Sequence, residues 1–202
     1  MTPVPVPVLY TDPKLQNKIA QELGLELQAA CTWIEKIFGV AKPGYRAAAD
    51  GKVSRQPEIY MNDGTKDYYV VVPDDKLKSY IFFALDAPIP IDFDEADEAR
   101  YELSLFCWVN LHALDGGRTE DYTNELAMDI VRALRASDVY SERIGELSID
   151  LDPQRMFERY NLPDDYYRYM SYPFSGFRIG MTVLSWDNPE CFPFVNTNIP
   201  PC

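Results

Sequence analysis

The alternation of apolar periods along the 202 residues predicts an α+β fold. In this fold a mixed or antiparallel β-sheet packs against a long N-terminal helix and a second helix on one face. Three observations carry the expectation. A stripe at helical spacing runs from Leu15 to Phe38, a period-two alternation runs from Tyr101 to Leu111, and a second helical stripe runs from Tyr122 to Leu134.

The elements follow in order. Residues 1–12 alternate Pro3, Pro5 and Pro7 with valines, a composition that favours an extended, polyproline-like arm. Thr11 or Asp12 can cap a helix whose first turn accepts Pro13, because the first helical N–H has no partner there in any case. Leu15, Ile19, Leu23, Leu27, Ala30, Cys31, Ile34 and Phe38 form its stripe; Gly39 is its expected stop, and Pro43-Gly44 the turn that follows. Residues 40–66 read as loop with one extended piece at Glu58–Met61, and Asn62-Asp63-Gly64 has hairpin-turn chemistry. Asp67–Val72 and Ser79–Leu85 are strands by their aromatic and β-branched content. The second is apolar on both faces, so it belongs at the centre of the sheet.

Residues 86–100 gather Asp86, Asp92, Asp94, Glu95, Asp97 and Glu98 with two prolines, which predicts a long solvated loop. In the next strand Tyr101, Leu103, Leu105, Cys107, Val109 and Leu111 point to one face and Glu102, Ser104, Phe106, Trp108 and Asn110 to the other, until Asp115-Gly116-Gly117 ends it. Thr119 is the expected cap of the second helix, whose stripe is Tyr122, Leu126, Ala127, Ile130, Val131 and Leu134. Residues 138–175 show no single period; a short helix around Pro153–Tyr160 precedes a cluster of Tyr166, Tyr167, Tyr169 and Tyr172. Phe177–Trp186 is the last strand, with Phe177, Ile179, Met181 and Val183 on one face. The organisation expected is an arm over 1–12, one α+β domain over 13–186, and a Pro-rich tail over 187–202.

Composition limits function. With 47% hydrophobic and 13% aromatic residues the chain can fill a core without metal or disulfide staples. Its net charge of -13 repels nucleic-acid phosphates and anionic membranes. Such acidity keeps a protein soluble; its sharper use is to repel something specific or to meet a basic partner. The N-terminal residues lack the cationic segment of a secretory signal, and no apolar run reaches the ~20 residues that span a bilayer. Cys31, Cys107, Cys191 and Cys202 have no C-x-x-C spacing and are too sparse for a disulfide scaffold, which suits a reducing cytoplasm. Cys31 and Cys107 fall on apolar faces; for Cys191 and Cys202, in the tail, pairing stays open.

Reactive constellations are hard to find. His112 is the single histidine, so a Ser-His-Asp or Cys-His arrangement would have to use it, and no Gly-x-Ser-x-Gly elbow accompanies it. One histidine and scattered cysteines give no zinc spacing. Asp92-x-Asp94-x-Ala96 departs from a calcium loop at its third ligand and lacks the glycine. Gly116-Gly117 has neither a dinucleotide fingerprint nor a Walker lysine. These patterns predict no catalytic residue, no cofactor and no metal. Contact residues are expected instead at Asp92, Asp94, Glu95, Asp97 and Glu98 of the acidic loop and at Tyr166, Tyr167 and Tyr169. For the tyrosines core packing and an interface both stay open, since tyrosine joins a large apolar area to a polar tip.

The order of elements resembles that of tail terminator and related head-tail completion (neck) proteins of tailed bacteriophages. The elements concerned are the amphipathic N-terminal helix, the charged loop, the strand Ala99–Val109, the capped helix Thr119–Ala136 and the closing strand Phe177–Leu184. The resemblance spans about residues 13–186 as a pattern of elements without a diagnostic motif. The region 138–175 is longer than a compact member needs, and both Pro-rich ends are additions. The resemblance implies a non-catalytic virion subunit, assembled in the host cytoplasm, that forms a ring with itself (usually a hexamer) and meets tail-tube and neck or connector proteins. In such a ring the acidic loop would line a lumen that DNA passes without sticking. A second expectation, from a different class, is an acidic binding module of immunity or adaptor type that neutralises a basic protein. An enzyme would instead need a pocket gathering carboxylates with His112.

Overall fold

A computed structural model of the chain describes residues 14–47, 51–60, 68–86, 99–137 and 144–185. Its frame is a seven-stranded sheet in the order β3-β2-β1-β4-β5-β7-β6. The strands are β1 (Lys36–Ala47), β2 (Val53–Tyr60), β3 (Tyr68–Val70), β4 (Ser79–Leu85), β5 (Ala99–Asn110), β6 (Ile144–Asp150) and β7 (Phe174–Ser185). The helices are α1 (Lys14–Ala30), α2 (Leu111–Leu114), α3 (Thr123–Ala136) and α4 (Pro153–Met156), with a 3₁₀ segment at Asp164–Met170. The sheet is mixed because β1 runs parallel to β4 while the other neighbours are antiparallel.

The N-terminal helix is shorter than its stripe predicts. It stops at Ala30, and the residues expected to carry it to Phe38 leave as a turn and then β1. Ser79 explains the exit: its hydroxyl accepts from the Glu35 amide at 2.9 Å and donates to the Trp33 carbonyl at 2.7 Å, while the Lys78 amide donates to Glu35 Oε2 at 2.6 Å. These bonds tie residues 33–35 to the start of β4. Phe38 therefore packs on the opposite face of the sheet from Ile19, Leu23, Leu27, Cys31 and Ile34. Gly39, expected as a stop, and Pro43-Gly44, expected as a turn, lie inside β1. Proline is tolerated there because β1 pairs with β4 only as far as Ala41, so residue 43 faces a single neighbour, β2.

Two apolar layers hold the sheet. On one face, Leu103, Leu105, Cys107 and Val109 of β5 and Phe177, Ile179, Met181 and Val183 of β7 pack under α1 and α3. The α3 stripe Leu126, Ala127, Ile130, Val131 and Leu134 is buried there as expected. The helix starts four residues later than Thr119, because Asp121 Oδ1 accepts from the Thr123 amide (2.9 Å) and hydroxyl (2.5 Å). On the other face an aromatic layer of Phe38, Tyr80, Phe82, Phe106 and Trp108 is covered by Met156, Phe157, Tyr160, Leu162, Tyr169 and Met170. Phe82 stacks on Phe106 at 4.7 Å and Tyr80 on Trp108 at 5.4 Å. Within the segment that shows no period in the sequence, residues 144–170 are thus an edge strand followed by the lid of this second layer.

Smaller corrections concern β2, which is longer than Glu58–Met61, and β3, which is shorter than Asp67–Val72. β5 ends at Asn110, whose side chain caps α2 by accepting from the Ala113 amide at 3.1 Å, before Asp115-Gly116-Gly117 is reached. The expected helix over Pro153–Tyr160 is the single turn of α4. The turn Asn62-Asp63-Gly64, the arm 1–12 and the tail 187–202 with Cys191 lie outside the described residues.

Candidate functional site

The two ends of the sheet differ in chemistry. At one end, β1 and β2 form a hairpin with Lys42 opposite Glu58, Tyr45 opposite Arg55 and Ala47 opposite Val53. Gly51, two residues before β2, has φ 81°, a left-handed conformation that glycine takes without steric cost. Tyr45 and Val53 are 69% and 52% exposed. By sequence, residues 42–58 hold Lys42, Arg46, Lys52 and Arg55 against Asp50 and Glu58, a basic balance in a chain of net charge -13. Arg46 pairs with Glu58.

At the other end is β6, which pairs with β7 and closes the strand order. Ile149 and the following Leu151 are each 41% exposed, although the cross-strand partner Ile179 is fully buried. Residues 144–152 carry Glu146, Asp150 and Asp152 and no cation. Four strands lie between β2 and β6. The β1–β2 hairpin, which lies inside β3 in the strand order, is thus apolar and basic, and the edge strand β6 is apolar and acidic.

Between them a polar knot ties the lid to the sheet. Asp86, just past β4, accepts from Arg159 Nη1 and Arg178 Nη2, each at 2.8 Å, and from the Ser104 hydroxyl. Arg159 also donates to the Leu85 carbonyl at 2.6 Å, and Arg178 Nε to Ser104 Oγ at 2.9 Å. One carboxylate thus holds two guanidiniums from β7 and the lid.

The residues singled out in the sequence fare differently. Asp92, Asp94, Glu95, Asp97 and Glu98 lie outside the described residues. The tyrosines divide: Tyr169 is buried beside Phe174, with its carbonyl accepting from Trp108 Nε1 at 3.2 Å; Tyr166 is half-buried against the aromatic layer; Tyr167 is exposed. His112 is exposed on α2. Burial pushes the Cys31 thiol up to about 11, with the Asp129 carboxylate adding to it, and pushes Cys107 well up. Both are free thiols. Among the described residues no group of His, Cys, Asp and Glu side chains is arranged to hold a metal ion, and no helix is long and apolar enough to cross a membrane.

Sequence reasoning missed the β1–β2 hairpin and the edge strand β6. The β6 signal was present, since Leu147, Ile149 and Leu151 alternate with Glu146, Ser148 and Asp150. Asp50-Gly51 likewise has the dipeptide chemistry of a hairpin turn. No family model, curated protein or solved structure matches the chain.

Proposed function

We propose that this chain is a non-catalytic assembly subunit whose copies join head to tail. The basic β1–β2 hairpin of one copy meets the acidic β6 edge of the next. The contact is of the ring-forming kind used by a tail terminator or neck protein of a phage-like particle. The observation that carries this is the complementarity of the hairpin and the β6 edge: exposed apolar side chains at both, cations at one and carboxylates at the other.

A strand at a sheet edge offers unpaired backbone groups, and a strand that only guards against pairing needs charge alone. β6 adds Ile149 and Leu151 to its charges, and apolar side chains are what a contact buries to gain affinity. Opposite charges then fix which surface meets which, because like surfaces repel. A contact between two different patches is heterologous, and closes into a ring when its rotation fits.

Light scattering after size-exclusion chromatography tests the reading. A ring of several copies, six in the expected case, or a ring formed on adding a tube protein, supports it. Ile149→Lys with Leu151→Lys is expected to reduce it to single copies. A particle that stays monomeric at every concentration, alone and with tube protein, sinks it. If that monomer captures one basic protein, it belongs to the adaptor class.

A further inference from the structure

A cleft of about 580 Å³ opens between the β1–β2 hairpin and the segment from Asp152 to Leu162. That volume lies within the range of small-molecule sites. Arg55, Arg155 and Arg159 line it, but their situations differ. Arg155 stands 3.5 Å from Asp150, and Arg159 2.8 Å from Asp86. Arg55 has no carboxylate within ion-pair reach among the described residues, and its Nε is buried with no hydrogen-bond partner there. Of the two carboxylates on the wall, Asp152 is engaged in capping α4, its Oδ1 accepting from the Gln154 amide at 2.9 Å; Glu158 is the other.

Tyr160 supplies a second orphan. The residue is 4% exposed, lines the cleft, and its hydroxyl is buried without a partner among the described residues. Burial raises its phenol to about 12, against the pull of Arg159 and Arg55, so the hydroxyl stays protonated and able to donate. A guanidinium Nε–H and a phenol O–H among the residues that line the cleft are two donors in want of an acceptor. A buried donor left unpaired costs free energy, and a guanidinium partly withdrawn from water gains most from an acceptor that is negative. Phe157, Leu162 and Met170 give the same cleft an apolar wall for a ligand's body.

We propose that this cleft binds a small organic ligand through an oxyanion, a phosphate or a carboxylate, held by Arg55 and Tyr160. The anchoring is local: the Arg55 amide donates to the Asn161 carbonyl at 3.2 Å and Asn161 Nδ2 to the Val53 carbonyl at 3.2 Å, so hairpin and lid fix the two donors relative to each other. The proposal does not rest on head-to-tail assembly.

The test titrates inorganic phosphate and, separately, succinate into the full chain at constant ionic strength. The readouts are the arginine Nε–Hε signals in nitrogen–proton NMR spectra and the melting temperature. At least one anion is expected to shift the Arg55 signal saturably and raise Tm; phosphate alone marks a phosphate ester, succinate alone a carboxylic acid. Arg55→Gln is expected to weaken binding about tenfold or more, as loss of a charged hydrogen bond does. Tyr160→Phe keeps the ring in place and should weaken it several-fold. Arg55→Lys, which keeps the charge and loses the Nε–H, should fall between wild type and Arg55→Gln. Linear, non-saturating shifts with both anions, or equal affinity in the folded Arg55→Gln and Arg55→Lys variants and wild type, would overturn the proposal. So would a Tyr160→Phe variant that gains stability without any loss of anion binding, since water alone then filled the site.

Discussion

Replacing Asp86 by alanine leaves the guanidiniums of Arg159 and Arg178 without their shared carboxylate. Breaking a fully buried pair by removing one partner costs about 3–5 kcal/mol, because a charge is left uncompensated. Here the side chains retain 20–35% of their exposure, so water relieves part of the loss. Each arginine also keeps one other acceptor, Leu85 O for Arg159 and Ser104 Oγ for Arg178. The expected cost is therefore about 2–3 kcal/mol. For a chain of this length that lowers Tm by about 4–12 °C. Asp86→Asn, which keeps an acceptor oxygen and loses the charge, should cost about half as much. Urea unfolding followed by circular dichroism measures both. Coupling with Arg159→Met should make the double variant less unstable than the sum of the singles by about 1 kcal/mol. Because Arg159 belongs to the lid, amide exchange around Phe157–Tyr160 should accelerate in Asp86→Ala before the β5–β7 ladder is affected. A change within about 0.5 kcal/mol, with no coupling to Arg159, would refute the role given to Asp86 as the tie between lid and sheet.

Two further outcomes follow from packing. A Cβ at Gly176 would stand 2.8 Å from the Cys107 carbonyl oxygen and 2.5 Å from Met156 Sδ, so Gly176→Ala must push the β5–β7 ladder or α4 aside. It should cost about 1–3 kcal/mol in urea unfolding; an unchanged midpoint would contradict the close approach of those strands and α4. With Cys191→Ser and Cys202→Ser in place, Cys31 and Cys107 should resist an aromatic disulfide reagent at pH 8. Burial holds Cys31 near 11, leaving only about 0.1% thiolate, and pushes Cys107 well above the ordinary thiol range. Both should react after unfolding; rapid labelling of either in the folded protein would show that it is not buried as described.

Where local pattern and tertiary environment agree, the elements were legible. The alternation in β5 and β7 survives because one face of each strand meets α1 and α3, and the α3 stripe survives because that helix lies on them. The uniform burial of β4 follows from apolar layers on both its faces. The end of α1 was hidden because Ile34 and Phe38 continue a helical stripe by spacing alone. Only Ser79, more than forty residues away, captures residues 33–35 and starts a strand. The lid was unreadable for a related reason. Phe157, Tyr160, Tyr169 and Met170 pack as single residues from short turns, so no period marks them. The β1–β2 hairpin went unnoticed because proline and glycine at 43–44 read as punctuation, whereas β2 accepts both in a ladder. Arg55 and Tyr160 carried no sequence signal, since a long-range fold alone brings a hairpin beside a lid.

Head-to-tail assembly requires the β1–β2 hairpin of one copy to meet the β6 edge of the next. One variant blocks the acidic edge (Ile149→Lys, Leu151→Lys), and the other blocks the hairpin (Tyr45→Glu, Val53→Glu). Each should be monomeric alone. Mixed in equal amounts they retain one good hairpin and one good β6 between them, so light scattering should give a species of twice the monomer mass that grows no further. A mixture that stays monomeric, or single-edge variants that still assemble, would contradict the head-to-tail contact.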